Sequence, residues 1–268
     1  MQVKNKSVWI TGASSGIGEA CAIAFAKRGC TLILSARNED KLQEVKEKCS
    51  GANEIFILPL DVKDHKSLAS KTSDAIKMTG HIDIFINNAG ISQRCTISES
   101  TLSLDKEVMD VNFFGNVGLT REILPHMKKR KTGAIVVTSS VAGKLGPPLR
   151  CAYAASKHAL HGWYDVLRAE VAPDNIQVNV VCPGYIKTNI SINALAGDGK
   201  THGVMDQGQA EGVSAEQCAE HFIKAVEKNK RESFIGGREV KFVTLRRFSP
   251  SLYFNMLQKM AAGVRRQS

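Results

Sequence analysis

The stretch VWITGASSGIG, residues 8–18, passes from a short apolar run into a glycine-rich turn and on into helical periodicity. Ile17, Cys21, Ala24 and Phe25 continue along one helix face, and Gly29 ends the pattern. Glycines 12, 16 and 18 have the spacing G-x-x-x-G-x-G. Such glycines permit a tight turn and close backbone approach, and the helix N-terminus behind them favours a pyrophosphate. A glycine-rich turn alone is weak evidence for a nucleotide; its place between a strand and a helix strengthens it. Outward from this stretch, residues 32–34, 55–58, 82–86, 135–137 and 178–181 are further candidate strands with helical stretches between them. Strands apolar on both faces and separated by helices predict a parallel sheet covered on both sides. The right-handed crossover rule then gives a doubly wound α/β fold. No linker, low-complexity tract or repeat divides the chain, so one domain is expected.

Composition narrows the function classes. The 268 residues are 43% hydrophobic and 23% charged, which excludes collagen-like and disordered chains. No apolar run reaches the roughly 18–20 residues of a membrane span. The seven cysteines (21, 30, 49, 95, 151, 182 and 218) are scattered without a CxxC pair. They read as small buried hydrophobes in a reducing compartment, with no metal site expected. The net charge of +10 invites a nucleic-acid reading, but residues 224–268 contain eleven Lys or Arg against three Glu. The body of the chain is therefore nearly neutral, and the basicity belongs to the C-terminal segment.

Two places carry the chemistry. At the end of the second strand, Ser35-Ala36-Arg37-Asn38 lacks the carboxylate that would bond the ribose hydroxyl of NAD. Ala36 leaves room and Arg37 suits a 2′-phosphate, which predicts NADP(H) on a Rossmann-like sheet; the plainer alternative is a solvated loop arginine. Tyr153 and Lys157, spaced i, i+4, share one helix face. A nearby ammonium favours phenolate, so Tyr153 is expected to titrate below its ordinary value of about 10. Ser140 ends the fifth strand, where its hydroxyl reaches the ligand crevice.

With these residues in place the chain resembles the short-chain dehydrogenase/reductase family over its whole length. The matches are the segment 11–18, Asn87-Asn88-Ala89-Gly90, Asn112, Ser139-Ser140, Tyr153 with Lys157, and Pro183-Gly184, in family order. The resemblance implies a catalytic tetrad of Asn112, Ser140, Tyr153 and Lys157. Ser139 is the rival for the serine role, and the interval to Tyr153 selects Ser140. It further implies that Gly12, Ser14, Ser15, Gly16, Ile17 and Gly18 hold the cofactor with Arg37. Asp61 and Val62 would meet the adenine, and Asn88, Ala89 and Gly90 the inner ribose. Pro183, Gly184, Ile186 and Thr188 would lie at the nicotinamide, beside Tyr153 and Lys157. In the implied mechanism Ser140 bonds the carbonyl oxygen, Tyr153 protonates it, and Lys157 depresses the phenol. Asn112 would hold a water on the proton path.

The loop 189–213, rich in glycine, is expected to cover the substrate as a lid within a catalytic domain of residues 1–240. Ser214 and Gln217 fit a capping box for the next helix. Residues 241–268 form a basic extension, in which Ser249-Pro250 starts a helix. Its apolar face is expected to carry Leu252, Met256, Leu257, Met260, Ala261 and Val264, with Arg265 and Arg266 at its end. That helix packs on its own domain or a partner subunit, or lies on an anionic membrane; nucleic acid is disfavoured for want of aromatic–basic interleaving. The tail and loop resemble the member 7/7B branch, and residues 139–144 resemble the 11β-hydroxysteroid dehydrogenase group. Relatives there act on lipophilic carbonyls and usually carry an N-terminal membrane anchor. The first strand, near Val8, leaves no room for one, so a cytoplasmic location is expected. The expected function is an NADP(H)-dependent reductase of carbonyls or dehydrogenase of secondary alcohols, in a homodimer or homotetramer. A nonenzymatic NADPH-binding sensor or scaffold is the alternative.

Overall fold

The computed structural model describes residues 1–265. Seven strands form one sheet in the order β3-β2-β1-β4-β5-β6-β7, and every pair is parallel. They are β1 (Ser7–Thr11), β2 (Thr31–Ser35), β3 (Glu54–Ile57), β4 (Ile84–Asn87), β5 (Gly133–Thr138), β6 (Ile176–Pro183) and β7 (Glu232–Ile235). Each candidate strand is present. The seventh, β7, was not expected; Glu232 and Ser233 interrupt its apolar pattern because it is a half-buried edge strand with one neighbour.

Helices α1 (Gly16–Ala26), α2 (Glu39–Lys48), α3 (Leu68–Thr79), α4 (Leu102–Met109), α5 (Asn116–Arg130) and α6 (Cys151–Glu170) supply most of the crossovers. A short α7 (Gln207–Ala210) precedes α8 (Ala215–Glu227), whose N-terminus is the expected capping box of Ser214 and Gln217. The central strands are buried along their length because helices cover both faces. One apolar cluster joins Ile10, Leu34, Ile86 and Val136 to Phe25 of α1 and Phe222 of α8. The other joins Trp9, Phe85 and Ile135 to Ile123 of α5 and Tyr164 of α6. Burying these side chains is the main favourable term in holding the layers.

The tail continues as α9 (Lys241–Phe248) and α10 (Pro250–Arg265), with Pro250 in the first turn as expected. The inward face of α10 differs from the expected one. Tyr253 is buried and Leu257 half-buried against Val141, Leu145, Phe242 and Leu245. Leu252 and Met260 are 54% and 52% exposed. Periodicity identified an apolar stripe, but contact with the turn after β5 fixed which part of it turns inward. Arg266 lies outside the described residues, as do the side chains of Val264 and Arg265. Among the described residues no helix is long and apolar enough to cross a membrane.

The fold makes a stability prediction. Phe222 is wholly buried where α8 meets the sheet. Phe222→Ala should lower the unfolding free energy by about 3–5 kcal/mol, measured by urea denaturation.

Candidate active site

The strand order reverses between β1 and β4, and a crevice opens there at the carboxyl ends of the strands. A cavity of about 920 Å³ fills it. The turn after β1 lines one end. Gly16 has φ +59, a left-handed conformation suited to glycine, and a Cβ on Gly18 would run into the Gly12 carbonyl. Ser15 is the N-cap of α1 without using its side chain, so the first-turn N–H groups lack a side-chain cap. Gly16 and Ile17 of that turn line the cavity, which makes it an anion site. Residues and space thus fit a dinucleotide.

Arg37 is exposed at the same end, with Ala36 beside it and Lys41 of α2 close by. Asp61 and Val62 line the next stretch of wall, followed by Asn88, Ala89 and Gly90. Asn88 ties the rim together. Its Nδ2 donates to the Thr11 carbonyl at 3.2 Å and its Oδ1 accepts from Thr138 Oγ1 at 3.1 Å. Thr11 Oγ1 accepts from the backbone N–H groups of Asn88 and Ala89. Pro183, Gly184, Ile186 and Thr188 lie along the opposite wall, and Thr188 approaches Gly16 across the turn.

Ser140, Tyr153 and Lys157 meet in the middle of the cavity. Ser140 Oγ donates to the Pro183 carbonyl at 3.2 Å and accepts from the Ala142 N–H at 3.1 Å. Lys157 Nζ donates to the Thr138 carbonyl at 2.8 Å and lies 5.7 Å from the Tyr153 ring centroid. Burial pushes this ammonium down from its ordinary 10.5 to about 8. The expected lowering of Tyr153 is overturned. Burial raises the phenol above its ordinary value, while the Ser140 hydroxyl and the Arg150 charge pull less strongly the other way. Loss of water at both groups outweighs the attraction that their spacing implied.

Asn112 and Gly18 do not line the cavity. Asn112 sits fully buried in a π-helical turn, Asp110–Gly115, a distortion frequent at functional sites. Its Oδ1 accepts from the Ile91 N–H, and its Nδ2 donates to the Ile91 carbonyl and Ser156 Oγ. Both Nδ2 protons are engaged, and Oδ1 accepts one hydrogen bond.

Other residues stand in or beside the cavity that were not expected at the site. Asp206 fastens the 189–213 segment by bonding Arg94 at 2.9 Å and Arg150 at 2.5 Å. The Arg150 guanidinium stands 5.9 Å from the Tyr153 ring centroid. Leu195 also bonds through its backbone to Ser92 and Arg94, so this loop is better fastened than its glycines suggested. Phe242, Tyr253, Met256 and Met260 of the tail give the cavity an apolar wall. Glu239 accepts from the Tyr185 N–H at the mouth. No local pattern signals these contacts; Asp206 lies 112 residues from Arg94 and 56 from Arg150.

A glycine-rich turn capping a parallel sheet, with serine, tyrosine and lysine converging beside it, defines a nucleotide-dependent oxidoreductase architecture. The chain belongs to the short-chain dehydrogenase/reductase family, whose sequence model, described as short chain dehydrogenase, matches residues 6–198. It is 41% identical to "Dehydrogenase/reductase SDR family member 7B" of Xenopus tropicalis, over 97% of this chain and 86% of that protein. Among solved structures it is similar to a short chain dehydrogenase/reductase from Burkholderia phymatum in complex with NAD. That likeness has a TM-score of 0.82 at 24% identity, covering 94% of this chain and 96% of the other. It is also similar to an alcohol dehydrogenase from Thermococcus sibiricus complexed with 5-hydroxy-NADP. There the TM-score is 0.74 at 25% identity, covering 87% and 97% of the two chains.

Lys157 yields a test of the site's energetic cost. Its lowered value means that, between pH 8 and 10.5, the unfolded chain binds more protons than the folded one. Wild-type stability contributed by this group therefore rises with pH across that window, and below it the buried charge is destabilising. Lys157→Met should be more stable than wild type at neutral pH by roughly 1–3 kcal/mol, allowing for the lost Thr138 bond. Urea denaturation should show the gap closing as pH rises.

Proposed function

We propose that the protein is an NADP(H)-dependent oxidoreductase acting between a carbonyl and a secondary alcohol on a lipophilic small molecule. One cavity carries the reading: it joins the uncapped N-terminus of α1 to Ser140, Tyr153 and Lys157, and these to an apolar wall from the tail. The bound nicotinamide supplies or takes the hydride. In this reading Gly12 and residues 14–17 take the pyrophosphate, with Gly18 packed behind them against Gly12, Arg37 takes the 2′-phosphate, and Asp61 and Val62 the adenine. Asn88, Ala89, Gly90 and Lys157 hold the ribose, with Pro183, Gly184, Ile186 and Thr188 at the nicotinamide. Arg37 and Lys41 at the adenosine end support NADP(H).

The chain's own groups divide the rest of the chemistry. Ser140 turns its proton from Pro183 toward the substrate oxygen and stabilises charge as it develops there. Burial keeps the Tyr153 phenol protonated at neutral pH, which suits a proton donor in the carbonyl-reducing direction. Lys157, lowered to about 8, exchanges a proton near neutral pH and resupplies the phenol. Asn112 acts by holding Ile91, so that Gly90 stays against Lys157. The comparisons lend no support to a nonenzymatic sensor or scaffold.

The proposal extends to assembly and location. Leu102, Phe114 and Val166 are exposed along the packed flank of α4, the π turn and α6, and they support a homodimer or homotetramer. Phe248, Leu252, Phe254 and Met260 are exposed on the basic tail and support peripheral membrane contact. Cytoplasmic placement rests on the cysteine usage.

Two measurements test the reading. Tyr153→Phe should lower kcat for NADPH-dependent carbonyl reduction at least ~10²-fold while NADPH still binds by fluorescence titration. Near-normal turnover would refute the assignment. NADPH should exceed NADH in kcat/KM, and Arg37→Ala should cut the NADPH value about tenfold or more while leaving NADH unchanged. Equal use of both cofactors by the wild type would sink the 2′-phosphate reading.

A further inference from the structure

Beside Ser140 in the chain, Ser139 is buried and its hydroxyl has two neighbours. It lies 2.9 Å from His161 Nε2 and 3.2 Å from the Lys157 backbone carbonyl. The other ring nitrogen, Nδ1, is 3.0 Å from Glu232 Oε1 on β7. Lys144 Nζ holds that same carboxylate oxygen at 2.7 Å. His161, Glu232 and Lys144 do not line the cavity, and the mechanism above leaves them unused.

We propose that His161 and Glu232 are positioning residues that act through Ser139, fixing the end of β5 that carries Ser140 against the turn of α6 that carries Lys157. This inference rests on the oxidoreductase reading. Proton counting carries it. The Ser139 hydroxyl has one proton. When His161 is an imidazolium, Nε2–H donates to Ser139 Oγ, and Nδ1–H, which has no aligned hydrogen-bond acceptor, pairs with the Glu232 carboxylate 3.0 Å away. The Ser139 proton is then free for the Lys157 carbonyl. A neutral ring protonated on Nδ1 takes the Ser139 proton instead, and the bond to α6 is lost. A neutral ring protonated on Nε2 turns a lone pair toward the Glu232 carboxylate.

The surroundings set the balance. Lys144 follows the turn after β5, Cys182 faces Nε2 from β6 at 3.8 Å, and Lys157 and His158 lie on α6 itself. Arg246 of α9 reaches His158 and the Lys144 carbonyl. His161 and Lys144 hold the Glu232 carboxyl down to about 2, so it stays ionised. His161, Cys182 and Glu232 also lie within 4.8 Å of one another as metal-ligand types. Glu232 addresses Nδ1 while bound by Lys144, whereas Cys182 addresses Nε2. A single ion would have to sit on both sides of the ring, so the cluster is a relay and not a metal centre.

The test reads proton state and turnover separately. In 15N-imidazole NMR of the cofactor-free protein, the His161 signals are those lost in His161→Gln. At neutral pH they should show protons on both ring nitrogens in the wild type and on one in Glu232→Gln. Glu232→Gln and His161→Gln should each lower kcat about tenfold, a modest loss for displaced catalytic groups, with KM for NADPH unchanged. Glu232 sits on a half-exposed edge strand, so Glu232→Gln is informative even where the core substitution fails to fold. An unchanged ring proton count in Glu232→Gln, or wild-type kcat in that variant, would overturn the relay. No turnover by the wild type on any carbonyl would overturn the oxidoreductase reading instead, and the imidazole spectrum would still decide the proton arrangement.

Discussion

The Asn88 side chain bridges three strand ends, and the crevice depends on that bridge. Its amide nitrogen reaches the carbonyls of Thr11 and Gly12 at the end of β1, and its oxygen receives the Thr138 hydroxyl from β5. The connections leaving β1 and β4 turn to opposite faces of the sheet, so beyond the Ile10–Ile86 pair the ladder does not hold the rims at fixed separation. A short, rigid amide with a donor and an acceptor does so. Thr138 carries the linkage onward, because its carbonyl receives the Lys157 ammonium. The nucleotide turn and the cationic side chain of the site thus belong to one hydrogen-bonded chain, set before any ligand arrives.

Such a site is built from polar groups buried at a cost. Asn87, Asn112, Asn116, Thr120 and Ser156 are nearly inaccessible, and the structure answers them with one another. Asn87 Nδ2 donates to the Asn116 carbonyl, Thr120 Oγ1 and the Tyr164 hydroxyl, and Asn116 Nδ2 returns to Ala89 and Asn112. A network of this kind, in which Asn87 Oδ1 and Asn116 Oδ1 stay buried without a partner, adds little net stability but fixes geometry tightly. The stability comes from the two apolar layers on the sheet faces. The same division explains why Lys157 is tolerated as a partly neutralised ion: the layers hold the fold while the site carries the strain of burial.

Much of this was legible in the sequence because it is local. Residues 8–18 announce strand, turn and helix in order, and Ser214 with Gln217 caps α8 as their types require. What was not legible depends on partners far along the chain. β7 hides because Glu232 reads as a surface residue until His161 is seen facing it. The α10 stripe was recognisable, yet Tyr253, outside that stripe, is the residue buried against Val141 and Leu145. Tyr153 failed for a different reason. Spacing reports attraction between phenol and ammonium, whereas desolvation depends on how much of the fold closes over both.

The basic tail shows how a global quantity changes meaning once it is placed. Its charge looked like a surface for anions, but Arg246 spends its guanidinium on the Lys144 carbonyl and stands beside His158. Lys144 in turn holds Glu232 through its ammonium. One arginine of the tail is therefore continuous with the groups behind Ser140, while Met256 and Met260 of the following helix line the cavity's apolar end. A segment that both fastens the back of the site and walls its front couples the two mechanically. The extension is accordingly built into the framework that surrounds the cavity.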